Sequence, residues 1–468
     1  MSDSLFRARV RAALADETLH VALGRATAQL QARRATAFAS LQDPAAVRAR
    51  ARAGKLAALR TLDLQLEEFE RRLVANGITV HWARDAEEAC ATIVAIATSR
   101  GCRRAVKGKS MASEEIELNA ALEAAGVEVV ESDLGEYVVQ LDRDRPSHII
   151  LPILHRTREQ VGRIFERELG VDWTPDPAAL ARIARERLRE RFLAADLGIT
   201  GANFGVVETG TLCIVSNEGN VRMSSSLPRV HVALLGIDKL VPTQDDLDAA
   251  LQVLARSATG QQSTVYVSLV NGPRRRADAT PPEEGPDEVH VVLLDHGRTR
   301  TLAGETAEML ACIRCGACLN ACPVFQQVGG HAYGSIYPGP MGSVLTPTMR
   351  GLADHAELPQ ASSLCGACKE ACPVGIDLPR LLLALRRATV AEQPIAPTLR
   401  LALRAWAFVM ARPRLLRLLR RVARVVAPHL ARRGWLRRAP GLLSGWTAHR
   451  DLPLPAAQSF DEWWATRR

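Results

Sequence analysis

The sequence contains no apolar run long enough to cross a bilayer. The longest, such as residues 405–411, fall well short of the roughly 20 residues a spanning helix needs, so a soluble chain is expected. Nucleotide-binding glycine signatures are also missing: there is no G-x-G-x-x-G after a strand and no Walker A run. The opening MSDSLFRARVRAALADETL has neither an apolar core nor a cleavage-type end, and Asp3, Asp16 and Glu17 argue against a transit peptide. A cytoplasmic protein is expected. Asp, Glu and Lys are absent from residues 396–450, which hold 13 Arg; setting those aside turns the net charge of +9 into −4. The basic character therefore belongs to one segment, and nucleic-acid binding is not expected.

The 468 residues suggest several structural units. Residues 1–74 are rich in Ala, Arg, Leu and Glu at helical spacing and predict two or three amphipathic helices. Over 75–302, short β-branched runs alternate with helical ones, which predicts an α/β fold with a mostly parallel sheet covered by helices. ITVHWA, RRAVKG, VEVVESD, HIILPILH, STVYVSLVNG and VHVVLLDHGRT read as strands. ANFGVVETGTLCIVSNEGNVRM and HVALLGIDKLVP read as strands meeting at loops. Between them, DAEEACATIVAIATSRG, begun by Asp85, and SEEIELNAALEAAG, with a capping-box start, read as helices. EQVGRIFEREL, DPAALARIARERLRERFLAAD and residues 244–255 read as further helices. PRRRADATPPEEGPDE is a polar loop and AEQPIAPT a linker. Residues 303–391 carry the cysteine segment, and 392–468 form a basic helical tail.

Seven of the ten cysteines lie within 61 residues, at metal-ligand spacing. Cys312, Cys315, Cys318 and Cys322 form C-x-x-C-x-x-C-x-x-x-C closed by Pro323, the run ferredoxins use to hold a cubane. A second run supplies Cys365, Cys368 and Cys372, closed by Pro373. Ser362 stands where its first ligand is expected. In two-cluster ferredoxins the last cysteine of each run serves the other cluster. On that rule Cys312, Cys315, Cys318 and Cys372 complete one 4Fe-4S site, while Cys322, Cys365 and Cys368 leave the other with three thiolates. The second centre is then a 4Fe-4S cluster with one non-thiolate ligand or a 3Fe-4S cluster. Seven thiolates in two Cys-Pro-terminated runs fit zinc poorly. Cys90, Cys102 and Cys213 read as packed small hydrophobes. Between the runs, QQVGGHAYGSIYPGPMGSVLTP offers five glycines and the polar side chains of His331, Tyr333 and Tyr337.

In the sheet domain, Lys107 and Lys109 precede a helix start that Ser110 or Ser113 would cap, a place where anionic ligands sit in open α/β sheets. Glu208, Thr209, Asn217 and Glu218 lie around glycine turns, with no partner spacing that assigns a catalytic acid or base. No catalytic residue is assigned. His148, His155 and His231 border apolar runs and read as satisfied core-edge histidines. In the tail, Leu415, Leu416, Leu419, Val422 and Val426 fall near one helical face, with Arg417, Arg420, Arg421 and Arg424 opposite or flanking. That pattern suits an anionic lipid surface or an acidic partner. Trp463 and Trp464 suggest a docking element.

VHWARDAEEA, KGKSMASEEIELN, ESDLGEYVVQL, PSHIILP, GITGANFGVVETGT, SNEGNVRM, CIRCGACLNACPV, GGHAYGSIYPGPMG and SSLCGACKEACPV, taken in order, resemble the lactate utilization protein B family of bacterial lactate oxidation. The resemblance runs from about Phe6 to Trp464. It implies a lactate-utilisation (LUD) domain related in fold to ribose isomerases and CoA transferases, joined to a helical two-cluster ferredoxin-type domain. It implies the same ligand division, with Cys312, Cys315, Cys318 and Cys372 on one 4Fe-4S cluster and Cys322, Cys365 and Cys368 on the other. It further implies a role in converting L-lactate to pyruvate with two partners, a cysteine-rich-domain subunit and a second LUD-domain subunit, and delivery of electrons to a downstream acceptor. Two other readings remain: a cluster protein sensing oxygen or iron, and a sheet domain that itself oxidises lactate.

Overall fold

A computed structural model describes residues 5–275, 284–392, 397–431, 433–438, 444–447 and 450–467. Parts of the expected polar loop (276–283) and linker (393–396) lie outside the described residues. Four helices open the chain where two or three were expected: α1 (Leu5–Leu14), α2 (Glu17–Ala39), α3 (Pro44–Arg60) and α4 (Leu62–Ala75). Asp16 and Asp43 cap α2 and α3, each accepting the backbone N–H three residues on at 2.9 Å. Those caps divide what helical periodicity alone reads as continuous.

Next come β1 (Thr79–Ala83), α5 (Ala86–Ser99), β2 (Arg104–Lys107), α6 (Met111–Glu115), α7 (Leu118–Ala124), β3 (Glu128–Glu131) and α8 (Leu134–Leu141). Then follow α9 (Arg158–Leu169), α10 (Pro177–Ala194), β4 (Leu197–Gly201), β5 (Phe204–Val206), β6 (Thr211–Ser216), α11 (Asn220–Ser226) and β7 (Val230–Gly236). The domain closes with β8 (Leu240–Val241), α12 (Gln244–Ala258), β9 (Tyr266–Val270), β10 (Glu288–Leu294) and α13 (Arg298–Leu302). Six strands pair in parallel in the order β1-β10-β7-β4-β2-β3, bearing out the α/β fold with a mostly parallel sheet. Every residue of the central β7 is buried, as a parallel strand covered on both faces requires. A second sheet, β8-β5-β6-β9, is mixed and takes the strands of ANFGVVETGTLCIVS and the end of HVALLGIDKLVP, whose first strand is β7 of the parallel sheet.

Three expectations need correction. HIILPILH is not a strand: His148 Nδ1 accepts the backbone N–H groups of Ile150 and Leu151, both at 3.1 Å, and Pro152 donates no N–H, so the segment turns instead of pairing. SEEIELNAALEAAG is two helices, α6 and α7, broken at Glu117 with φ +53°. On one continuous helix Glu115 and Leu118 would share a face. Here Glu115 joins a buried ion pair, whereas Leu118 enters the core beneath the sheet. The cap is Ser110, accepting from Ser113 N, with no capping box. NVRM belongs to α11, not to a strand.

The cysteine segment folds into α14 (Ala317–Ala321), α15 (Pro323–Val328), α16 (Gly339–Arg350), α17 (Leu352–His355), α18 (Ala367–Ala371) and α19 (Leu378–Glu392). Backbone contacts divide the chain into two units, Met1–Glu392 and Gln393–Arg468. In the first, Leu23 and Phe38 of α2 and Ala51 and Leu59 of α3 share one hydrophobic cluster with six of the seven cysteines. The second carries α20 (Pro397–Met410) and α21 (Pro413–Leu430). A short helix, Phe460–Ala465, meets α21 through Arg424, whose guanidinium lies 3.0 Å from the Glu462 carboxylate. The paired tryptophans thus sit on an element docked against this chain. Leu419, Val422, Val425 and Val426 remain exposed on α21. No helix among the described residues is long and apolar enough to cross a membrane.

Candidate metal centre

The two cysteine runs share one backbone form. Arg314 and Gly316 have φ +58° and +75°, and their counterparts Leu364 and Gly366 have φ +56° and +90°. Each loop then enters a five-residue helix, α14 or α18, and the two helices pack together. In the first loop the Arg314 N–H donates to Cys312 Sγ at 3.4 Å; in the second, the Leu364 N–H donates to Ser362 Oγ at 3.1 Å. Ser362 therefore holds the local position of Cys312. Further N–H groups point at sulfur: Ala317 at Cys315, Val324 and Phe325 at Cys322, and Ala367 at Cys365. The Ile376 N–H reaches Cys372 Sγ at 3.3 Å. Such donors favour sulfur in its anionic form.

Cys312, Cys315, Cys318, Cys322, Cys368 and Cys372 are buried, whereas Cys365 is exposed. Burial pushes the Cys315 thiol up to about 12 and Cys368 up to about 11, and holds Cys318 well above its ordinary value. For Cys365, the Ala367 N–H first and the Ser363 side chain second act downward. The thiols whose charges bear on Cys318 are, in order, Cys312, Cys315, Cys372 and Cys368. On Cys322 it is Cys365, and on Cys368 it is Cys322 before Cys365.

Thiols buried this deeply ionise only when a cation takes the place of water. The surroundings fit a polar group between the sulfurs, because two buried donors lack acceptors there. These are Arg34 Nε, near Cys315 and Cys372, and Tyr333 Oη, near Cys322 and Cys318. The sulfurs are also too widely spaced for one tetrahedral ion. Thiolates around zinc lie about 3.8 Å apart, yet among the described residues no three cysteine sulfurs fall within 4.8 Å of one another.

The opening helices clamp the second run, a function their composition did not signal. Arg34 donates to the Ala371 carbonyl at 2.8 Å and Arg48 to that of Cys372 at 2.6 Å. Arg52 donates to the carbonyls of Val374 and Gly375, both at 2.8 Å. Spacings of 14 and 4 residues between these arginines are not a recognisable motif, so only the tertiary fold reveals them.

The remaining candidates separate. Lys107 is fully buried and paired with Glu114 at 2.7 Å and Glu131 at 2.8 Å, a structural role. Lys109 lines a cavity with Glu218 and Asn217. Glu208 accepts the Gln244 N–H at the start of α12, and Thr209 bonds Thr211 at 2.7 Å. Tyr337 donates to Glu115, and His231 lies 2.8 Å from the Thr200 hydroxyl. His148 Nε2–H donates to Asn320 Oδ1 at 3.2 Å, beside the first run. His155, Asp144 and His331 come together with ligand atoms within 4.8 Å of one another. The sequence did not link them.

Comparison with known proteins matches residues 66–294 to the LUD domain, 308–376 to the 4Fe-4S dicluster domain and 392–468 to the C-terminal domain of lactate utilisation protein B. The chain is 42% identical to the lactate utilization protein B of Shouchella clausii, over 100% of this chain and 98% of the relative. It is 40% identical to that of Bacillus pumilus, over 99% and 97%. It is 38% identical to the "Uncharacterized electron transport protein YkgF" of Escherichia coli, over 99% and 96%. The cysteine segment accordingly binds iron-sulfur clusters.

Proposed function

The chain belongs to the lactate utilization protein B family, and we propose that it is the iron-sulfur electron-transfer subunit of a complex oxidising L-lactate to pyruvate. The observation that carries this reading is the pair of cysteine loops with matching backbones, packed helix to helix and rich in N–H donors to sulfur. The two matching loops support two clusters. Cys312, Cys315, Cys318 and Cys372 hold the first; Cys322, Cys365 and Cys368 hold the second, with Ser362 at the place of a fourth ligand. The charge neighbours of Cys318, Cys322 and Cys368 support that crossing. When bound, the clusters supply one-electron chemistry. This chain's residues set access: the first run is enclosed, whereas Cys365 opens the second to a partner or acceptor.

The partners are a cysteine-rich-domain subunit and a second LUD-domain subunit. The exposed apolar residues of α21, flanked by arginines, suit an acidic partner surface or anionic lipid. We retain 1–74, 75–302, 303–391 and 392–468 as the functional division of the chain. Lactate addition to the anaerobic complex tests the reading: this subunit's clusters become reduced within turnover. Cluster loss under oxygen coupled to altered partner binding, without reduction by lactate, would support a sensor instead.

A further inference from the structure

A cavity of about 300 Å³ opens where parallel strands β2, β4, β7 and β10 end. Carboxyl ends of parallel strands are where open α/β sheets take ligands. Lys109 follows β2, Gly201 ends β4, Lys239 follows β7 and Arg298 follows β10; the far wall is Ile313 and Arg314, inside the first cysteine loop. The sheet domain and the metal centre thus share one cavity.

Its polar groups are unevenly matched. Arg298 is satisfied, by Asp238 at 2.6 Å and Glu115 at 2.8 Å. Arg314 gives Nη2 to Asp238 and Nη1 to the Cys312 carbonyl, both at 3.2 Å. Its Nε has no acceptor although the residue is only 7% exposed. Asn220, 4% exposed, accepts from Ser216 at 2.8 Å while its Nδ2 donates to nothing. Lys239 has no hydrogen-bond or ion-pair partner among the described residues, and burial first, then Arg314, pushes it down to about 7. Around Asp238, four cations, Lys55, Lys239, Arg298 and Arg314, stand against two carboxylates, Asp238 and Glu115, while Lys109, Asp133 and Glu218 line the other part of the cavity. Unmatched buried donors and excess charge are costly unless an anion completes them. Across the cavity, Glu218 uses one carboxylate oxygen to accept the Leu134 N–H at 3.2 Å and brings an acceptor to the same space.

We propose that this cavity binds a small 2-hydroxy carboxylate, its carboxylate held by Lys239, Arg314 Nε and Asn220 Nδ2 and its hydroxyl facing Glu218. The volume is at the lower end of small-molecule sites and suits a small acid. The choice of a hydroxy acid among small carboxylates rests on the proposed part of this chain in lactate oxidation; the anion site does not. Bound there, the acid lies against the loop that carries Cys312, with Arg314 touching both.

Equilibrium dialysis of radiolabelled L-lactate against the anaerobic, cluster-loaded full chain tests this. One saturable site is expected, with pyruvate competing and inorganic phosphate not. Lys239→Met should weaken binding by about tenfold or more, the cost of one charge-assisted contact, with iron and sulfide content unchanged. Lys239→Arg should restore most of it. No saturable binding, equal competition by phosphate, or a Lys239→Met chain that loses iron yet binds lactate normally would overturn the proposal. The last result would make the excess charge a counterweight to the cluster. If the chain binds no lactate but its clusters are still reduced in the complex, this inference fails and the relay stands. If it binds lactate and its clusters stay oxidised, the relay fails and the site stands.

Discussion

The first and second cysteine runs have nearly the same backbone and opposite surroundings. The first is buried, backed by the sheet domain's cavity, with His148 bonded to its Asn320. The second exposes Cys365, has serine at the position of Cys312, and is held by arginines from α2 and α3. Repeating a loop conserves the geometry that cups a cluster, while the neighbours decide what reaches it. One end of the pair faces an enclosed chemical space and the other faces outward.

The largest expected effect comes from splitting the ligand sets. Cys372→Ser should perturb the four-thiolate cluster and Cys322→Ser the other, each costing about half the iron of roughly eight per chain. Iron analysis with electron paramagnetic resonance reads this; the opposite pairing would show that each run keeps its own cluster. Next, Arg48→Ala with Arg52→Ala should loosen the second run, since the part-buried carbonyls of Cys372 and Val374 lose charged donors worth up to about 1.5–3 kcal/mol each. Because these carbonyls flank Cys372, faster iron release from the four-thiolate site, with the three-thiolate signal changed less, is the expected outcome.

A pH dependence sharpens the contrast further. Burial holds His148 down to about 3 and His231 to about 4, so both are neutral in the fold. Unfolding lets each take a proton below about 6.5, and stability should therefore fall as pH drops from about 6.5 toward 4. The limiting slope is about 1.4 kcal/mol per pH unit per histidine. Protonating His148 would also remove the Nδ1 acceptor that folds the turn beside the first run. Thermal melts of wild type and His148→Gln over that range check the sign. The smallest effect is expected from Ser362→Cys, which offers the second site a fourth thiolate: iron content should hold while its signal shifts.

Much of this was legible in the residues. Cys-Pro-terminated runs announce themselves by spacing alone, and Asp85 marks the start of α5 because capping is local chemistry. Where the reading missed, tertiary demand overrode local preference. HIILPILH has a strand's composition, but His148 and Pro152 turn it toward the metal centre. Lys107 and Lys109 look alike in sequence, yet adjacent carboxylates bury one and a cavity takes the other. Lys239, Arg298 and Arg314 carry no motif, because four strand ends and a cysteine loop meet only after folding.

Anaerobic purification with iron and sulfide counting, followed by L-lactate addition with and without the partners under paramagnetic resonance, tests the central claim most directly. Roughly seven or eight iron with matching sulfide, and two distinguishable signals that lactate elicits only when the partners are present, are the expected result. About two zinc ions without sulfide, or clusters that lactate never reduces in the complete complex, would contradict it.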